Sequence, residues 1–113
     1  MRHVFPLAAA AIALQVTAAA AQDMPRYVPE RWCEKVASSS GNRSEMIYGG
    51  CMDQEQSSYD EVKPRWSTLS AHTRRWCDQV SRANGSGSYM TLAGCIDMEE
   101  SSGRENKKRS FKY

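Results

Sequence analysis

Apolar positions recur every three or four residues through most of this chain, and nowhere do they alternate in twos. Trp32, Cys33, Val36 and Ala37 lie on one face of a helix that Pro29 can open, because a first-turn residue needs no N–H. The run "SSSGN" at 38–42 predicts a stop and a turn, with Gly41 a candidate for a left-handed C-cap. Ser44 can cap a second helix, and Glu45 in its first turn opposes the helix dipole favourably. Tyr48, Cys51, Met52, Glu55, Tyr59 and Val62 form that helix's stripe, interrupted only by the glutamate. Pro64 disfavours helix at Lys63, which predicts the helix end. The pattern then repeats. A helix from Ser70 or Ala71 carries Trp76, Cys77 and Val80, "NGSG" at 84–87 turns, and Ser88 caps a helix with Leu92, Cys95, Ile96 and Glu99 on one face.

The repetition extends to individual residues. Residues 31–65 align without a gap on residues 75–109, so Arg31, Trp32 and Cys33 fall on Arg75, Trp76 and Cys77. Ser44, Met46, Cys51, Asp53 and Glu55 fall on Ser88, Met90, Cys95, Asp97 and Glu99, and Glu61, Lys63 and Arg65 on Glu105, Lys107 and Arg109. One supersecondary unit has been used twice, with a period of 44 residues. The expected fold is all-α: two tandem helical hairpins, four short helices, in one small domain. Repeat 1 covers about 29–62, a linker 63–70, and repeat 2 about 71–103.

The four cysteines sharpen this picture. Cys33 precedes the first turn, and Cys51 follows it, by similar lengths of helix, and Cys77 and Cys95 do the same around the second turn. Three pairings are open to four cysteines, and levelness along antiparallel helices favours Cys33–Cys51 and Cys77–Cys95. The first 21 residues read as a signal peptide: a short basic start, an apolar run, and the small residues Ala19 and Ala21 before Gln22. The apolar core is short for a membrane span, so no transmembrane anchor is expected after cleavage. A periplasmic or secreted location follows, in keeping with an even number of cysteines in a small domain.

Charge adds less. Residues 22–103 hold nine Lys/Arg against twelve Asp/Glu, whereas the tail 104–113 holds five against one. That division argues against a nucleic-acid binder. It leaves Lys107, Lys108, Arg109 and Lys112 as candidate contacts to an envelope protein or to an anionic cell-wall or lipid surface. Trp66, in the linker, is expected to pack between the hairpins or to be offered to a partner.

Candidate chemistry is sparse. C-x-D-x-E at Cys51, Asp53 and Glu55 suggests metal ligation, but Cys51 and Glu55 share a helix face while Asp53 points away. No catalytic residue, cofactor or metal is expected, because no Ser-His-Asp set, phosphate loop or redox C-x-x-C occurs. The recurring carboxylates are expected to form ion pairs at the core's edge, Glu55 with Arg31 and Glu99 with Arg75.

In W-C-x17-C-x-D-x-E, with "YGGCMDQEQSSYDEVKPRW" and "WCDQV" before "GCIDMEE", the chain resembles small signal-peptide proteins of rhizobium-like alphaproteobacteria. It also resembles, more weakly, the LprI-type periplasmic lysozyme inhibitors, whose C-x3-E-x3-D pattern Cys51, Glu55 and Asp60 approach with the aspartate one residue late. The expectation is a non-enzymatic exported protein, a periplasmic binding or envelope-stress module. The alternative implied by the second resemblance is an inhibitor of a cell-wall hydrolase.

Overall fold

A computed structural model describes residues 23–113 and Ala10, so the expected signal peptide lies, but for that one residue, outside the described residues. Among the described residues four α-helices make two hairpins: α1 (Pro29–Ala37) with α2 (Glu45–Val62), and α3 (Ala71–Arg82) with α4 (Tyr89–Asn106). Among the described residues there is no strand. Pro29 occupies the first turn of α1. Ser44, Ser70 and Ser88 cap α2, α3 and α4, each hydroxyl accepting from the third N–H along, at 3.1–3.2 Å. Gly41, Gly85 and Gly87 carry positive φ in the two turns.

Each hairpin is closed by its own disulfide. Cys33 joins Cys51 and Cys77 joins Cys95, with Cα–Cα distances of 5.5 Å in both. The pairing expected from levelness is the one observed. Cys33 and Cys77 are fully buried, and Cys51 and Cys95 partly so.

The end of α2 falls where Pro64 predicts it, after Val62, and beyond that boundary the chain tightens into a 3-10 helix over Lys63–Thr68, where Pro64 occupies a first-turn position. That tighter turn carries Trp66 into the core at 4% exposure, where it packs between the hairpins. The tail boundary differs from the sequence reading, since α4 continues to Asn106 rather than stopping at 103.

The hairpins meet through the second half of α2 and the first half of α4. Glu55 reaches Ser88, Tyr89 and Met90, while Arg65 reaches Asp97 and Glu100. Positions rise together along both helices, so the two run in roughly the same direction. Between them lies the apolar core: Val62, Trp66 and Leu69 from one side, and Tyr89, Leu92, Ala93 and Ile96 from the other.

Residues before α1 complete the packing by crossing to the second hairpin. Tyr27 donates its N–H to the Tyr89 hydroxyl at 2.9 Å, and that hydroxyl donates to the Pro25 carbonyl at 2.8 Å. The Tyr27 hydroxyl donates to Asp78 at 2.7 Å and accepts from Ser81, which is fully buried. Its ring lies so close to Gly87 that an added Cβ there would stand 2.6 Å from the ring's Cγ. Only glycine fits at that place.

Burial pushes the phenols of both Tyr27 and Tyr89 above their ordinary range. A raised folded-state value means the native state holds its proton while the unfolded chain releases one above pH of about 10. The stabilisation is therefore complete below pH ~10 and is lost as pH rises further, at up to about 1.4 kcal/mol per pH unit for each phenol. Urea midpoints measured from pH 8 to pH 11.5 (both values chosen to bracket about 10) are expected to fall at the alkaline end. Tyr27→Phe flattens that decline while lowering stability at neutral pH. Separately, Cys33→Ala with Cys51→Ala, which opens a closure of 18 residues, is expected to cost about 3 kcal/mol in the same assay.

Candidate binding site: a glutamate clamp and two tryptophan grooves

An 18-residue helix such as α4 presents unpaired N–H groups and a partial positive charge at its start. Glu55 meets both needs. Its carboxylate, 1% exposed, accepts from the Ser88 hydroxyl at 2.6 Å and from the Tyr89 N–H at 2.6 Å, and more distantly from the Met90 N–H at 3.4 Å. The Ser88 oxygen in turn accepts from the Thr91 N–H. The first turn of α4 is thus fully satisfied, half of it by a side chain from the other hairpin.

This arrangement replaces the expected ion pairs. Among the described residues no ion pair joins Arg31 to Glu55 or Arg75 to Glu99; both arginines are exposed, and Glu55 faces the opposite way, into α4. The physical reason is competition. A buried carboxylate is better served by three fixed donors at a helix start than by a flexible arginine in water. Glu99, its counterpart in the second copy, is half-buried and has no hydrogen-bond or ion-pair partner among the described residues. The same residue type at the same repeat position therefore holds two different states, one engaged and one vacant.

Each hairpin carries an apolar groove over its disulfide, and Glu99 lines the second whereas Glu55, turned into α4, does not line the first. The first, about 370 Å³, is formed by Trp32, Val36, Ile47, Gly50, Cys51 and Gln54, and Met90 of the other hairpin makes its far wall. The second, about 390 Å³, is formed by Trp76, Val80, Thr91, Gly94, Cys95, Met98 and Glu99. Six of these positions are related one by one through the 44-residue repeat. Glycines at 50 and 94 leave the helix surface flat beside the sulfurs, which is what opens the groove to the indole. The difference lies in the cover. Met90 walls the first groove, whereas no described residue from another hairpin walls the second, and there Trp76 is 44% and Met98 70% exposed.

The remaining sequence candidates sit apart from this arrangement. Lys107, Lys108, Arg109 and Lys112 are exposed, and Lys108 lies 3.7 Å from Glu105 on its own helix end. Cys51, Glu55 and Asp60, the residues that carry the inhibitor resemblance, are respectively in a disulfide, in the clamp, and exposed while accepting from Gln56 at 3.0 Å. Among the described residues no three His, Cys, Asp or Glu side chains converge as a metal-binding group, and no helix is long and apolar enough to cross a membrane. Sequence reasoning missed Ser88, Tyr89 and Met90 as partners of Glu55, and Arg65 as the ion-pair centre that reaches Asp97 at 2.6 Å. The one available signal was a carboxylate recurring where an apolar residue belonged.

The two glutamates give a direct test of the clamp. Glu55→Gln, which sets an amide against donors, is expected to cost about 2–4 kcal/mol in urea unfolding. Glu99→Gln is expected to change stability by less than about 0.5 kcal/mol. Equal effects would show that the buried carboxylate is not what holds α4.

No protein family model, no curated protein and no solved structure matches the chain.

Proposed function

We propose that this chain is a non-enzymatic exported binding module, acting in the periplasm or outside the cell, whose recognition element is the groove over Cys77–Cys95 together with Glu99. One observation carries the reading: the equivalent surface of the first hairpin is already in use. There Glu55 takes the N-terminal turn of a helix, and the methionine of that turn walls the groove beside Trp32. The second surface has the same tryptophan, valine, glycine, half-cystine and glutamate, with the cover absent among the described residues. Its ligand is accordingly the first turn of a helix bearing a serine cap and a methionine two residues on.

Two further features support an exported role. Both cysteine pairs are disulfides, bonds that persist in oxidising compartments. The sequence before Gln22 has the pattern of a signal peptide. An enzymatic role would need a titratable group poised in a cleft, and the best-buried carboxylate is committed to three hydrogen bonds.

The test is a nuclear magnetic resonance titration of the isotopically labelled protein with a short N-capped helical peptide carrying Ser-x-Met at its first turn. The Trp76 indole N–H and the backbone at Gly94 and Met98 are expected to shift and saturate below about 1 mM, with Trp32 unmoved. The same peptide with aspartate in place of methionine is expected to bind at least about tenfold more weakly. Absence of any response at Trp76 would refute the assignment.

A further inference from the structure

We infer that the occupant of the second groove is a second copy of this chain, docked head to tail through the N-terminal turn of its α2. The inference rests on the groove reading above and goes further by naming the ligand.

The argument is continuity with the joint already built inside the molecule. Hairpin 2 presents Ser88, Met90 and Asp97 to hairpin 1, which receives them with Glu55, the Trp32 groove and Arg65. Moving each presenting residue back by one repeat gives Ser44, Met46 and Asp53 on hairpin 1. Moving each receiving residue forward gives Glu99 and the Trp76 groove on hairpin 2, and Arg109 just beyond the end of α4. All six identities are kept. Inside one molecule none of them makes the inter-hairpin contact its counterpart makes. Met46 is 83% exposed, Asp53 and Arg109 are exposed without a side-chain partner among the described residues, and Glu99 is vacant. The N–H groups of Glu45 and Met46, which open α2, likewise have no acceptor among the described residues, although Ser44 caps the third as Ser88 does.

Placed on Glu99 as Ser88 is placed on Glu55, the α2 start of a second copy would satisfy that carboxylate. Met46 would wall the Trp76 groove and Asp53 would face Arg109. Charge complementarity agrees, since a helix start and Arg109 are positive while Glu99 and Asp53 are negative.

The intermolecular joint is weaker than the internal one for a visible reason. Gly103, Asn106 and Ser110 stand where Tyr59, Val62 and Trp66 supply the internal apolar core. What is kept is the polar clamp, the methionine and the ion pair; what is dropped is the greasy seam. Association is therefore reversible, and because the two contacting surfaces differ, the joint is heterologous and each copy can pass it on to the next.

Sedimentation velocity on the full mature chain, at concentrations up to about 1 mM, tests this. The wild-type protein is expected to form dimers, trimers and longer species as concentration rises. Met46→Asp blocks the presenting end and Glu99→Lys the receiving end, and each alone is expected to remain monomeric, with association at least about tenfold weaker. Mixed one to one, they restore a single intact joint, so mass is expected to stop at two copies. Both substitutions keep the wild-type urea midpoint, and Met98→Asp serves as a second receiving-end variant should Glu99→Lys unfold. A wild-type protein that stays monomeric, variants that still associate, or a mixture that stays monomeric would each overturn the inference. The peptide titration judges the groove separately: a peptide that saturates Trp76 while the chain stays monomeric leaves the groove standing and removes only this occupant.

Discussion

A single buried carboxylate holds the two halves of this protein in register. Without a charge at its start, α4 would leave the first N–H groups of a long helix facing an apolar interior, which is costly to leave unpaired. Glu55 supplies that charge from the neighbouring hairpin, and the helix start supplies the donors that make burying a carboxylate tolerable. Each group is unfavourable alone and satisfied by the other. The contact also fixes geometry, because a carboxylate with three donors admits little sliding along α4, whereas leucines and valines by themselves would admit more. The Tyr27 strap and the Val62, Trp66 and Leu69 stripe then pack around a register that the clamp has already chosen.

That register has a consequence for symmetry. A duplicated hairpin can pack on its twin about a two-fold axis, in which case both copies of every residue do the same job. Here Glu55 meets residues 33 to 35 positions on rather than its own counterpart 44 positions on. The second hairpin is advanced by roughly ten residues, or about 15 Å of helix. Such a joint is like one step of a stair, with one surface presented and another received, and it leaves the complementary pair of surfaces unused at the two ends. Equal sequence in the two copies then coexists with unequal environment, as Glu55 and Glu99 or Met90 and Met46 illustrate.

Covalent and non-covalent restraint are divided between levels. Within each hairpin, a short helix and a long one are tied by sulfur. Between hairpins the restraint is carboxylate, aromatic and aliphatic contact, with Arg65 adding an ion-pair cluster of modest strength at the exposed edge. The same division explains why α1 buries little beyond Cys33 and Ala37. Its work is to back α2, whose other face does the joining.

What the sequence settled was local and periodic. The serine caps, the proline that opens α1, the glycine turns and the level cysteines all act within one repeat, where contact is a matter of helical pitch and turn chemistry. Trp66 was legible as a large apolar group needing cover, though not that a 3-10 turn would deliver it. The partners of Glu55, the crossing of Tyr27 to Asp78 and Ser81, and the difference between the two grooves were decided only by the tertiary structure. They depend on the offset between hairpins, and α2 and α4 are each touched on two sides, so the apolar positions along them do not say which contact belongs to which neighbour. Periodicity reports which face is buried; it carries no information about how far one copy slides along the other.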